Sequence, residues 1–200
     1  MAMFDLLFGK KSPETFDAAA TQRMQAIAGS ASADLAAELL TAPTALMQLS
    51  IDEAKVVVSY MKPRKIPEGV TFIKEGDKND TGYMMLVLDG EVTVENIVVS
   101  RVSPITVSVL GVGSLIGEMG LVDGEPRNAS CTATTEVRCA VLTRDALQDL
   151  MTQEPQIGCK LMMAVSLRIA ERMRDVSDKL KLYAQLTQAM QQEIDTLMPT

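Results

Sequence analysis

The 200-residue sequence predicts a mainly β protein: a rolled antiparallel sheet with flanking helices, between a helical N-terminal extension and a long C-terminal helix. Three observations carry that prediction. Between Ile66 and Leu142 the chain is a series of short β-type runs separated by glycine turns. Those runs do not alternate with helical segments, which excludes a parallel βαβ build. From Ser166 onward apolar residues recur at alternating three- and four-residue steps, the spacing of a coiled coil.

The expected organisation is a helical extension over residues 1–45, a central domain over 46–154 and a dimerisation helix over 155–200. In the first part, Ser12-Pro13-Glu14 offers a cap and a proline at the first helical position. Alanine-rich short helices follow, broken at Gly29-Ser30 and ended near Thr41-Ala42-Pro43. Phe4, Leu6, Leu7 and Phe8 near the amino terminus are read as packing on their own domain or locally disordered before they are read as a docking segment.

Ser50 and Glu53 have capping-box spacing ahead of Ala54, Val57, Val58 and Met61, so a helix is expected there, ended by Pro63. The expected strands are Thr71–Ile73, Met84–Leu88, Val92–Val94, Thr106–Leu110, Ala129–Ala133 and Val137–Leu142. Glu75-Gly76-Asp77, Asp89-Gly90 and Gly111-Val112-Gly113 punctuate them. A short helix over Thr143–Met151 and a long one opened by Pro155 complete the chain. One seam of the long helix reads Ser166, Met173, Leu180, Thr187, Ile194 and its companion Ile169, Val176, Tyr183, Met190, Leu197. At about 1.5 Å per residue that helix is about 60 Å long, too long for the roll to cover. A parallel dimer along the seam is the first expectation, folding back along the roll the second.

Composition narrows the function. With 26 acidic against 19 basic side chains the net charge is -7, which disfavours bulk attraction to nucleic acid or anionic lipid. The chain has no histidine, so the Ser-His-Asp arrangement and imidazole metal sites are excluded. Cys131, Cys139 and Cys159 are odd in number and widely spaced, and read as small buried residues in a reducing compartment. No apolar run reaches the roughly 20 residues a bilayer span requires, and a cytoplasmic protein is expected.

The chemistry concentrates between Gly117 and Ala129, where Glu118 and Arg127 lie within a glycine-rich stretch. Arginine offers a planar fork to phosphate oxygens. An ionised carboxylate only accepts, so it suits the hydroxyls of a ribose. One anion binder beside one hydroxyl binder describes a nucleotide held by phosphate and sugar. The alternative is a Glu118–Arg127 salt bridge inside a non-enzymatic scaffold whose function is dimerisation or partner docking.

Four blocks extend the first reading: Glu75-Gly76-Asp77, Tyr83–Val92, Gly113–Leu121 and Pro126-Arg127-Asn128-Ala129. In this order they resemble the cyclic nucleotide-binding domain family, which includes bacterial catabolite activator proteins and regulatory subunits of cyclic-AMP-dependent kinase. The resemblance covers roughly Leu46 to Leu182 and implies a jelly-roll-like β-roll with a phosphate-binding cassette. It implies that Glu118 takes the ribose 2'-hydroxyl and Arg127 the cyclic phosphate, assisted by Gly117 and by the amides of Met119, Gly120, Asn128 and Ala129. It further implies a base contact from the long helix at Ser177. Apart from the resemblance, the neighbouring Arg174 is a second candidate to stack on or hydrogen-bond the base. An ordinary solvated helix residue is the alternative for both, and Met173 and Val176 read as seam or pocket packing.

The family usually carries alanine, serine or threonine where this chain has Asn128, a departure that weakens the choice between adenine and guanine; cyclic AMP is expected first, with cyclic GMP or a modified cyclic nucleotide open. No catalytic residue, metal or catalytic cofactor is expected. The 18 residues after Leu182 leave no room for a DNA-reading module, so the expected function is a cyclic nucleotide sensor acting through helix and dimer rearrangement on an effector protein.

Overall fold

A computed structural model describes residues 13–41, 49–96 and 105–197. The Phe4–Phe8 segment and the Ser12 cap lie outside these residues. Helices α1 (Pro13–Ile27) and α2 (Ala31–Leu40) come first, followed by α3 (Ile51–Ser59). The Ser30 side chain caps α2 by accepting from Ala33. Ser50 and Glu53 form the full capping box on α3, satisfying two amides that a helix start leaves without partners.

Among the described residues there are eight strands: β1 (Lys62–Ile66), β2 (Thr71–Ile73), β3 (Tyr83–Asp89), β4 (Val92–Asn96), β5 (Ile105–Leu110), β6 (Leu115–Ile116), β7 (Ser130–Ala133) and β8 (Val137–Thr143). A short helix, α4 (Glu118–Asp123), interrupts them between β6 and β7. They form two four-stranded antiparallel sheets, ordered β1-β8-β3-β6 and β2-β7-β4-β5. Helices α5 (Arg144–Gln153) and α6 (Pro155–Leu197) complete the chain.

Strand β3 explains how the layers assemble. Six consecutive residues, Tyr83 to Leu88, are buried. Side chains alternate across a strand, so a continuous buried run requires cover on both faces. Tyr83, Met85 and Val87 point into the roll, against Ile73, Val92, Cys131 and Val137. Met84, Leu86 and Leu88 point the other way and share a cluster with residues of α2, α3, α5 and the start of α6. Ala36 and Ala37 of α2 and Val57 of α3 are almost fully buried in that second cluster, so α2 and α3 are part of the core.

Three expectations are corrected. The helix after Ser50 ends at Ser59, and Tyr60 donates its amide to the Val57 and Val58 carbonyls at the cap. Met61 is buried but beyond the helix. Pro63 lies inside β1, where its missing N–H is tolerated because β1 is an edge strand. Of the cysteines, Cys131 and Cys139 are buried while Cys159 is exposed near the start of α6.

In α6, Leu161 and Val165 are buried at the core. Farther on the helix leaves the body: Met173, Leu180, Tyr183, Met190 and Leu197 of the heptad seam are all exposed. Among the described residues no helix is long and apolar enough to cross a membrane.

Candidate functional site

The cavity at the centre of the roll has a volume of about 180 Å³. Its apolar wall is built from Ile73, Val94, Leu110, Ile116 and Cys131, residues of strands in both sheets. The polar wall is α4 with the loop that follows it, together with Arg172 from α6.

Helix α4 is placed by its first residues. Gly117 sits at φ +81° as the N-cap, a left-handed conformation that favours glycine. A Cβ there would lie 2.8 Å from Arg127 Nη1 and 3.0 Å from the Tyr83 carbonyl oxygen. The glycine therefore satisfies both the turn and the close approach of Arg127.

Arg127 is 5% exposed. Its Nε donates to the Asp80 carbonyl at 3.0 Å, Nη1 to Gly117 at 2.9 Å and Nη2 to Tyr83 at 3.1 Å. The guanidinium carbon stands 4.5 Å from the centre of the Tyr83 ring, within cation–π range. The Tyr83 hydroxyl donates to the Phe72 carbonyl, and burial pushes its pKa upward. Three of the five N–H groups of a guanidinium are thus used to hold the fork, which leaves two for a ligand.

Glu118 is 1% exposed. Its Oε1 accepts from Arg172 Nη1 at 2.6 Å, while Oε2 has no hydrogen-bond partner. Arg172 also donates through Nη2 to the Leu115 carbonyl at 3.2 Å, so the long helix is fastened to the β6–α4 junction at two points. The Glu118–Arg127 salt bridge of the scaffold alternative does not form: each residue is engaged elsewhere. Asp123 and Glu125 also line the cavity, and Asp123 Oδ1 accepts from the Glu125 amide.

Of the residues singled out in the sequence, Gly117, Glu118, Met119, Gly120, Arg127, Asn128 and Ala129 all line this cavity. The Asn128 amide donates to Met119 Sδ at 3.4 Å, bridging the helix and the loop. Ser177 does not line it; it is exposed on α6. Arg174 is exposed as well. The α6 side chain that reaches the cavity is Arg172, which the sequence reading passed over. Its signal was indirect: a carboxylate buried among glycines needs a cation, and Arg172 sits one turn before Val176 beside the seam.

The sequence profile described as Cyclic nucleotide-binding domain matches residues 63–154. The crystal structure of a cyclic nucleotide-binding domain from Methylobacillus flagellatus is similar at a TM-score of 0.69 and 31% identity, covering 76% of this chain and 83% of that one. The CRP-like cAMP-activated global transcriptional regulator of Mycobacterium tuberculosis is 26% identical over 126 residues, 61% of this chain and 53% of that protein. The cAMP-dependent protein kinase regulatory subunit of Emericella nidulans is 36% identical over 106 residues, 53% of this chain and 24% of that protein. The chain therefore spans only part of the length of the curated relatives it matches.

Proposed function

The chain belongs to the cyclic nucleotide-binding domain family, and from that premise we propose that it is a non-enzymatic cyclic nucleotide sensor that signals through α6. The observation that carries this reading is the unpartnered Glu118 Oε2. A buried carboxylate oxygen without a donor is costly, and the 2'-hydroxyl of a ribose is a donor of the right kind. Arg127 takes the cyclic phosphate with its two remaining N–H groups. The first-turn amides of α4, at Met119 and Gly120, and those of Asn128 and Ala129 supplement it.

Cyclic AMP is the first ligand assigned, because relatives on two branches are named for it. Cyclic GMP is the comparison ligand, since Asn128 can serve either a phosphate or a base edge. Glu118 is committed to Arg172 and the chain contains no histidine, which favours holding the nucleotide over hydrolysing it.

The partner in this reading is a second copy of the chain along the α6 seam, in the cytoplasm. In a parallel two-stranded coil a g residue faces the e residue five positions later on the other helix. With Met173 and Val176 at a and d, Arg172 is at g and Ser177 at e. Ser177 of the second copy then faces Arg172 at the mouth of the cavity, which gives it a ligand role although it does not line the cavity of its own chain. Nucleotide drawn in against Glu118 and Arg172 shifts α6 and with it the dimer, the output read by an effector protein.

Calorimetric titration of nucleotide-stripped protein with cyclic AMP and cyclic GMP tests the proposal. Saturable binding of at least one is expected. Absence of heat with both up to high micromolar concentration overturns it.

A further inference from the structure

Helix α4 spans only six residues, so most of its carbonyls have no partner within the helix. Two of them are held by Arg144, the first residue of α5. Its Nη2 donates to the Gly120 carbonyl at 2.7 Å and to the Leu121 carbonyl at 3.2 Å. A cation at a helix C-terminus is also favoured by the helix dipole.

The surrounding backbone is shaped to this contact. Gly124 closes α4 at φ +75° and donates its amide to the Gly120 carbonyl at 3.0 Å. A Cβ on Gly124 would lie 3.1 Å from both Nη1 and Nη2 of Arg144, so this glycine leaves the space that the guanidinium occupies. The Arg144 amide donates to the Gly82 carbonyl at 2.7 Å, which fixes the start of α5 beside β3. Arg127 holds the other end of α4 through the Gly117 carbonyl. Helix α4 is therefore strung between one arginine that lines the cavity and one that does not.

The far end of α5 meets α6 at close quarters. A Cβ on Gly158 of α6 would lie 2.9 Å from Met151 Cγ and 3.1 Å from Met151 Cα of α5. The two helices are thus packed directly against each other at this point, as close-packed neighbours through which a displacement can pass.

We propose that Arg144 is a positioning residue of the nucleotide site. Without touching the ligand, it holds α4 so that Glu118 and the first-turn amides face the cavity, and it transmits displacement of α4 to α5 and α6. This rests on the nucleotide-binding reading above.

The test uses the full chain labelled at the exposed Cys159 with an environment-sensitive fluorophore, Cys131 and Cys139 being buried. Cyclic AMP and cyclic GMP are titrated into the native chain, Arg144→Ala and Arg144→Lys, with affinity and emission change at saturation both recorded. Arg144→Ala is expected to bind about tenfold more weakly, the effect of losing one charge-assisted hydrogen bond, and to lose most of the emission change. Arg144→Lys keeps the charge without the fork and is expected to recover part of both.

No binding by the native chain sinks the nucleotide reading itself. If the native chain binds and responds, while both variants match it in affinity and amplitude, the role of Arg144 is overturned. A lowered melting temperature with unchanged affinity and amplitude overturns it equally, since that marks a merely structural contact. Should Arg144→Ala fail to fold, Arg144→Lys decides alone: reduced amplitude supports the proposal and full amplitude overturns it.

Discussion

Arg172 reaches from α6 to within 2.6 Å of Glu118 at the start of α4, yet satisfies only one of its two carboxylate oxygens. The pair is lopsided: the carboxylate is 1% exposed and the arginine side chain 43%. Removing the arginine strands a buried charge, whereas removing the charge alone leaves a neutral acceptor. Arg172→Met should therefore lower the stability of the nucleotide-free protein by about 1–3 kcal/mol, discounted because solvent already screens the arginine. Glu118→Gln should cost less stability but more nucleotide affinity. Urea unfolding with calorimetry on both variants checks this; equal unfolding midpoints for Arg172→Met and the native chain would contradict it.

In the proposed reading Arg127 serves two tasks with one fork, holding three backbone carbonyls and a phosphate, and substitution separates them. The carbonyls of Asp80, Gly117 and Tyr83 all depend on it, so Arg127→Ala should destabilise the fold as well as weaken nucleotide binding by about 1.5–3 kcal/mol or more. Arg127→Lys retains the charge, but a point-like ammonium cannot span three carbonyls and a phosphate. It should stay folded at low temperature and still bind weakly. Native affinity in the lysine variant, measured where circular dichroism reports a folded protein, would remove Arg127 from the phosphate site.

These relationships divide into those a local reading reaches and those it does not. The capping box at Ser50 and Glu53, the Pro155 start of α6 and the continuous apolar run of β3 are local patterns, and each forms as its pattern implies. Strand β1 escapes that reading because Lys-Pro-Arg-Lys-Ile has a helix-stopping proline and little apolar surface. It is a strand because it pairs along β8, with Lys62 opposite Val141 and Ile66 opposite Val137. Cavity residues within one stretch, Gly117 to Ala129, were legible together because one short helix and loop hold them. Arg172 was not: α6 offers Arg168, Arg172 and Arg174 within two turns. Which of them meets Glu118 depends on how the helix crosses the roll, a property of packing that no spacing along the chain encodes.

The cysteines give a dependence on pH. Burial pushes the Cys131 thiol up to about 11, and raises Cys139 as well. Below pH 9 the thiol is protonated in both folded and unfolded chains and stability is unaffected. Between pH 9 and 11 the unfolded chain releases the proton first, so the folded state loses about 1.4 kcal/mol for each pH step between the two values. Stability should fall by about 2–3 kcal/mol from Cys131 across that window, and the Cys131→Ala variant should show a shallower alkaline slope. Identical slopes in urea unfolding at pH 8 and pH 10.5 would contradict this. At neutral pH, thiol reagents should modify Cys159 first.

The exposed seam of α6 makes the most direct claim about assembly. Leu180 and Tyr183 are each 63% exposed and Met173 is 74% exposed, on a helix whose other described elements leave that face uncovered. Water contact along such a seam is costly at about 25 cal/mol per Å² of apolar surface, and the proposed second copy in parallel would remove it. A charge at an a position has no place in the proposed interface, so Leu180→Glu should prevent that dimer while leaving the roll folded. Sedimentation should then give a monomer for the variant and a dimer for the native chain; a monomeric native chain would overturn the proposed assembly. The consequence for ligand binding follows from the heptad register. Ser177→Ala should weaken cyclic nucleotide binding only in chains able to dimerise, and have no further effect in the Leu180→Glu background. An equal loss in both backgrounds would mean that Ser177 acts within its own chain, against its exposed position outside the cavity lining.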